Sequence, residues 1–316
     1  MILSVSRRTD IPAFYAPWFI RRLEEGYVLV RNPMNYHQVS RVSLAPDVID
    51  CIVFWSKNPA PLLRHLEYIG SRYPFYFQYT LNAYEKEIEP GLVPLSERID
   101  TFRQLSRAIG PDRVIWRYDP IFISPKYNAQ WHAEQFRNLV KALAKYTDTC
   151  VISFVDLYEK VKKTASCFGI SECSEEEMNK LASAISIAAK EAGIQVKTCA
   201  EKIDLQKYGI THNCCIDAEL ISRITGWKLK VKKDPNQRAE CGCIESIDIG
   251  QYNTCKHGCK YCYATFNPHS VETFSKRHLP ESSLLIGELE SEDKITDRKM
   301  KSLKDHVSGQ ISLFDM

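Results

Sequence analysis

An α/β fold built on a parallel sheet, wound towards a TIM-like (β/α) barrel, is what this chain predicts, with a cysteine-rich segment after it. Two observations carry the barrel. Short apolar β runs alternate with amphipathic helical runs over the first two-thirds of the sequence. Those β runs also end, one after another, in charged or polar residues: "SRRTD", "WSKNP", "YTLNAY", "WRYDP", "SFVDLY" and "TCAEKID". In a β/α barrel the strand ends and the loops after them build the active site. A doubly wound open sheet shows similar ends, so whether the barrel is closed, incomplete or circularly permuted stays open. A third observation is the crowding of cysteine late in the chain, where "TCKHGCKYCYA" spaces three of them as C-x-x-x-C-x-x-C.

The elements follow in order. "ILSVS" reads as the first strand, and "YVLVRNP" with "QVSRVSLA" as a hairpin insertion. "CIVFW" and "FYFQYTL" are the next strands. "SERIDTFRQLSRAIG" is a helix burying Ile99, Phe102, Leu105 and Ile109 and stopping at Gly110. "RVIWRY" is a strand, and "NAQWHAEQFRNLVKALAKY" is a helix capped by Asn128 with Phe136, Leu139 and Leu143 on one face. "CVISFV" precedes a helix from Ser174, where Ser174 and Glu177 form a capping box and Gly193 stops the run. "IQVKT" is a strand, "CIDAELISRITG" a helix begun by Cys215, and "ESIDIGQYN" a last strand with its exit. Charged residues dominate from about Glu288, which predicts a flexible tail. The expected organisation is a barrel over 1–235, a cysteine-rich iron–sulfur segment over 236–287, and a tail over 288–316.

Composition narrows the class. The chain has 316 residues and a formal charge of +3, so no global field demands nucleic acid or membrane. Basic residues do gather at Lys228 to Arg238. No apolar run reaches membrane-spanning length and the opening residues lack a signal-peptide pattern, so a cytoplasmic location is expected. Twelve cysteines in a reducing compartment favour metal or redox chemistry over a disulfide framework.

The polar strand ends nominate a rim of Arg7, Arg8, Asp10, Lys57, Asn58, Asn82, Arg117, Asp119, Asp156 and Glu201. A surface loop or a structural ion pair explains any one of them; six strands switching from apolar to charged are better explained by a site. Arg7, Arg8, Lys57 and Arg117 suit an anionic group. Asp119, Asp156 and Glu201 suit hydroxyls, amines or proton transfer. Trp55 and Trp116 read as packing, with stacking on a substrate the alternative.

Cys255, Cys259 and Cys262 offer three thiolates, one fewer than a closed tetrahedral site uses. A four-iron cluster held by three thiolates keeps one iron open to a ligand. The competing reading is zinc, drawn from Cys241, Cys243 and the triplet, or a non-catalytic binding module. Cys199, Cys215, Cys241 and Cys243 can close a second, auxiliary [4Fe-4S] cluster. The bland alternative is four small buried residues, or a role for Cys214 instead of Cys215. Cys51 and Cys150 lie in apolar strands and read as core.

The triplet, with Tyr261 before its last cysteine, resembles the signature of the radical S-adenosylmethionine (SAM) superfamily. The resemblance implies a [4Fe-4S] cluster whose open iron chelates SAM, with Tyr261 near the adenine. It also implies cleavage to a 5′-deoxyadenosyl radical, and an electron donor such as flavodoxin or ferredoxin. In most members the cysteine loop follows the first barrel strand; here it comes last, which implies a permuted chain or an arm folded over the barrel mouth. The SAM-amine stretch would then correspond to "SRRTD", which lacks glycine. The longer motifs "SRRTDIPAFY", "VFWSKNP", "RVIWRYDP", "ISFVDLY", "TCAEKIDL", "KDPNQRAECGC" and "DIGQYNTCKHGCKYCYA" resemble a bacterial family known as domain of unknown function 1848. That resemblance supplies no substrate.

The final "GQISLFDM" resembles the peptide by which bacterial DNA polymerases and repair proteins dock on the sliding clamp, through Gln310, Ser312, Leu313 and Phe314. Docking would bring the enzyme to nucleic acid and tilt the substrate towards a nucleobase or DNA lesion; a small metabolite or peptide is the alternative.

Overall fold

The computed structural model describes residues 1–305, so the clamp-like peptide at Gln310 to Phe314 lies outside the described residues. The elements in chain order are β1 (Ile2–Val5), α1 (Ile11–Phe14), α2 (Ala16–Glu25), β2 (Tyr27–Asn32), β3 (Asn35–Ser43), β4 (Cys51–Ser56), α3 (Leu66–Gly70), β5 (Phe75–Thr80), α4 (Leu95–Ile109) and β6 (Val114–Ile121). They continue with α5 (Ala129–Leu143), β7 (Thr149–Phe154), α6 (Glu159–Cys167), α7 (Glu175–Glu191), β8 (Gln195–Thr198), β9 (Thr211–His212), α8 (Ala218–Thr225), β10 (Ser246–Asp248), α9 (Pro268–Lys276) and β11 (Lys294–Asp297).

Eight strands form one parallel sheet in the order β10-β1-β4-β5-β6-β7-β8-β9. Among the described residues no ladder joins β9 to β10, so closure into a barrel is not shown. The hairpin insertion is as the sequence predicts: β2 and β3 are antiparallel and stand in a separate sheet. That sheet also takes β11 beside β3, which corrects the expectation of a flexible tail from residue 288 as far as residue 305.

The side-chain period of two explains the layers. On one face Leu3, Val5, Phe54, Phe77, Trp116 and Ile152 pack with Phe19, Phe102, Phe136 and Leu181 from the covering helices. Trp116 stacks on Phe136 at 4.9 Å, which fixes it as core. On the other face Ile2, Cys51, Val53, Tyr76, Ile115 and Val151 pack against Leu220 and Ile221 of α8. Two residues further along the same face, five strands turn polar or amphipathic together: Ser4, Trp55, Gln78, Arg117 and Ser153. The α8 helix therefore fills one end of this face and leaves a polar layer towards the C-terminal ends.

Helix boundaries follow local chemistry. Asn128 caps α5 through Trp131 N, and Ser174 with Glu177 makes the capping box of α7. Cys215 does not begin α8: Asp217 caps it, accepting from the Glu219 and Leu220 amides, and leaves Cys215 in the preceding loop. The weakest strand, β9, has two residues and no legible sequence signal. No helix among the described residues is long and apolar enough to cross a membrane.

Candidate functional site

The edge strand β10 exits into the cysteine loop, and its neighbour β1 exits into Ser6-Arg7-Arg8. The two exits run so close that a Cβ on Gly250 would lie 2.0 Å from Ser6 Oγ. Asp248 ties them together: it accepts from Ser4 Oγ at 2.9 Å, from Ser6 Oγ at 2.5 Å and from the Arg7 amide at 2.8 Å.

The loop is then pinned from below. Tyr15 OH donates to Thr254 O at 2.7 Å, and the Lys260 amide donates to Ile88 O at 3.0 Å. Gly91 N donates to His257 O at 2.9 Å, and the loop backbone presses so closely there that a Cβ on Gly91 would sit 2.5 Å from Lys256 O. Gly258 takes φ +68° within the triplet, the left-handed turn that suits glycine.

Two buried carboxylates anchor this assembly. Asp10 caps α1 and also accepts from Ser56 Oγ on Oδ1 and Lys57 N on Oδ2, each at 2.7 Å; His257 Nε2 is 2.8 Å from the same Oδ2. Burial raises the Asp10 pKa, but the His257, Lys57 and Ser56 contacts outweigh it and hold the carboxyl below its usual range. Glu89 accepts from Lys57 Nζ at 2.7 Å and from Tyr261 OH, with Arg98 3.6 Å away. Burial works against the Lys57 ammonium, yet Glu89 and Cys259 beside it hold its pKa above the ordinary value. The Tyr261 hydroxyl is thus committed to Glu89 and Lys57, and its ring packs beside Tyr84 and Phe122.

Cys255, Cys259 and Cys262 lie near enough to act on one another electrostatically. Burial pushes the Cys255 and Cys259 thiols up. Among the described residues these three sulfurs do not form a group with every atom within 4.8 Å of the others. A single tetrahedral zinc, with Zn–S of about 2.3 Å, would draw them to about 3.8 Å. Nδ1 of His257 is buried beside them with no partner.

The remaining rim residues divide. Arg7 donates to Ser246 Oγ at 3.0 Å, with Trp55 5.8 Å from its guanidinium; Arg8 lies over Tyr252 at 5.3 Å. Arg117, 4% exposed, pairs with Asp119 and points Nη1 at Cys215 Sγ, 2.8 Å away. Asp119 also accepts from Ser153, and Asn82 bonds both the amide and carbonyl of Asp119. Trp55 lies 5.3 Å from the Arg117 guanidinium and keeps its buried Nε1 without a partner. Asn58 serves its own turn, its oxygen accepting from Ala60 N at 3.4 Å. Asp156 pairs with Arg238 at the surface. Glu201 accepts from the Phe154 amide at 2.9 Å, and burial, reinforced by Asp156 and Asp119, pushes its pKa up to about 8.

Cys199, Cys215, Cys241 and Cys243 come together on the α8-covered face, with Cys199 Sγ 3.2 Å from Cys215 Sγ. Cys241 and Cys243 pack in the same buried cluster as Cys215, and the Ile216 amide donates to Cys243 Sγ at 3.3 Å. Beside them a cleft of about 970 Å³ is lined by Asp156, Glu201, Lys202 and Arg238 among others. Cys51 and Cys150 are core, both fully buried.

Sequence reasoning missed His257, Glu89, Arg98 and Asp248. His257 carried a signal, since it lies inside the cysteine spacing. Glu89 and Arg98 carried none: their roles exist only because the loop after β5 meets the cysteine loop.

The family model "Domain of unknown function (DUF1848)" matches residues 2–264, and the chain belongs to that family. No curated protein matches. A solved structure of a putative alpha-L-fucosidase from Bacteroides thetaiotaomicron is similar at 10% identity, covering 74% of this chain and 83% of that one, with a TM-score of 0.26.

Proposed function

We propose that this DUF1848 protein is a radical SAM enzyme whose [4Fe-4S] cluster is held by Cys255, Cys259 and Cys262 on a circularly permuted, incomplete β/α barrel. One observation carries the reading. The strand that delivers the three-cysteine loop is the last of the eight-stranded sheet in sequence yet lies at its edge beside β1, so the loop joins the polar strand ends at one end of the sheet. The donor set fits: three mutually interacting thiols, one fewer than a closed tetrahedral site uses.

When bound, the cluster supplies the electron for reductive cleavage of SAM. The chain's own residues hold and shield the site. Asp10 and His257 fix the loop to β1 and β4, while Lys57, Glu89 and Tyr261 fix it to the loop after β5. The aromatic set of Tyr84, Phe122 and Tyr127 packs behind Cys259 and excludes water. Trp55, whose ring lies near both the Arg7 and the Arg117 guanidinium, has an unpartnered Nε1 that would offer a donor to SAM or substrate. A lean towards DNA or nucleobase chemistry rests on the Gln310 to Phe314 peptide. Binding to purified bacterial clamp, lost on removing residues 310–316, supports that lean; equal, negligible binding with and without them redirects the search to small metabolites and peptides.

The deciding experiment is anaerobic purification, reconstitution with iron and sulfide, and incubation with reductant and SAM. 5′-Deoxyadenosine is expected from the intact chain and not from Cys255→Ala, Cys259→Ala or Cys262→Ala. Zinc as the sole metal, with no cluster reconstituted, overturns the proposal.

A further inference from the structure

We infer that Cys199, Cys215, Cys241 and Cys243 hold a second iron–sulfur cluster, of the [4Fe-4S] type and closed by four protein thiolates. The inference does not rest on SAM chemistry at the triplet.

Three separate segments supply the sulfurs: the exit of β8, the loop between β9 and α8, and the Cys-Gly-Cys turn before β10. Chance burial does not require them to meet. Yet Cys199 Sγ lies 3.2 Å from Cys215 Sγ, and Cys215, Cys241 and Cys243 belong to one buried cluster with Cys199 packed against it. The turn runs close against the preceding cysteine pair, for a Cβ on Gly242 would fall 2.5 Å from Cys214 Sγ.

All four cysteines are free, and 3.2 Å is well beyond an S–S bond of about 2.05 Å, so no disulfide joins them. Four thiolates are a full set for a [4Fe-4S] cluster, one to each iron. A lone zinc ion takes the same set of ligands, so the test reads both metals.

The surroundings suit an anionic group. Arg117 directs Nη1 at Cys215 Sγ from 2.8 Å, and it is 4% exposed with Asp119 as its carboxylate partner. Asn213 Nδ2 is 3.4 Å from the same sulfur, and the Ile216 amide donates to Cys243 Sγ at 3.3 Å. Hydrogen bonds to ligand sulfur are among the determinants of cluster potential. With four thiolates the cluster has no open iron, so it stores or relays an electron, or braces the fold, and does not bind SAM. Its place is the wall of the cleft, for Ala200 and Glu201 after Cys199 and Glu240 before Cys241 line that space.

The test counts iron and acid-labile sulfide on the anaerobically reconstituted full chain. About eight irons per chain are expected, falling to about four in the Cys255→Ala/Cys259→Ala/Cys262→Ala variant. The electron paramagnetic resonance spectrum of that variant, once reduced, should not change when SAM is added. Cys199→Ala/Cys243→Ala should lose the complementary four irons; if it fails to fold, the triplet variant alone decides. Iron lost altogether from the triplet variant, zinc in its place, or a Cys199–Cys215 disulfide in the anaerobic protein overturns the inference. About four irons in both the intact chain and the triplet variant would instead sink the triplet and leave the second site standing.

Discussion

His257 Nε2 lies 2.8 Å from Asp10 Oδ2, so the cysteine loop and the exit of the first strand share one buried carboxylate. Asp10 also organises Ala13, Ser56 and Lys57, which makes it the joint of α1, β4 and the loop. Asp10→Asn keeps the shape but removes the charge, and a loss of about 3 kcal/mol is expected. The folded-state pKa is depressed, so this stabilisation is present above the unfolded value of about 3.9 and is lost as pH falls through the folded one. Urea unfolding across the acid range should show that limb in the native chain and a flatter one in Asp10→Asn. Superimposable acid limbs would remove Asp10 from this role.

Gly91→Ala tests whether the loop after β5 seats the triplet. The new methyl meets the carbonyl oxygens of Lys256 and His257 and the His257 Cα, all backbone, within 2.8 Å. Backbone cannot swing away as a side chain can. A cost of about 1–3 kcal/mol and a loss of iron at the triplet are expected, read by thermal unfolding and iron content. Unchanged iron would show that the proposed cluster does not depend on this contact.

Arg117 and Asp119 are a buried pair, and breaking it from one side should cost more than removing both. Arg117→Met leaves Asp119 unpaired on the polar face, with an expected loss of about 3–5 kcal/mol. Arg117→Met/Asp119→Asn should recover part of it, since the two sites are coupled. Chemical denaturation of the two single variants and the double gives the coupling directly; strict additivity would mean that Arg117 is balanced by something other than Asp119.

The strands and main helices were legible because a period of two and a period of 3.6 each leave a direct trace in sequence. The capping box at Ser174 and the cap at Asn128 show how far local chemistry reaches. What could not be read were long-range meetings. Nothing local announces that Glu89 will receive Lys57 and Tyr261, or that β11 will join β3. The charge between Glu288 and Asp305 suggested a free tail because composition does not register a strand recruited by an exposed edge. Asn58 shows a related limit: its side-chain oxygen serves a turn, accepting from Ala60 N, and sequence polarity alone does not separate a turn from a site.

Glu201 carries a pH signature of opposite sign to Asp10. Burial is the main cause of its raised pKa of about 8; the Phe154 amide opposes it, and Asp156 and Asp119 add to it. The unfolded carboxyl titrates near about 4.3. Between those values the folded chain keeps a proton that the unfolded chain has released, so stability falls as pH rises from about 4.3 towards 8 and then levels. Glu201→Gln keeps the acceptor for Phe154 N and cannot ionise. Its stability should therefore match the native chain near pH 4 and exceed it increasingly towards pH 8, as urea midpoints at a series of pH values will show. The same proton has a place to go, because Glu201 lines the cleft and presents a neutral acid there at pH 7. Parallel stability profiles for the two proteins would mean that Glu201 is ionised in the folded chain, and would take away its standing as a proton donor in the cleft.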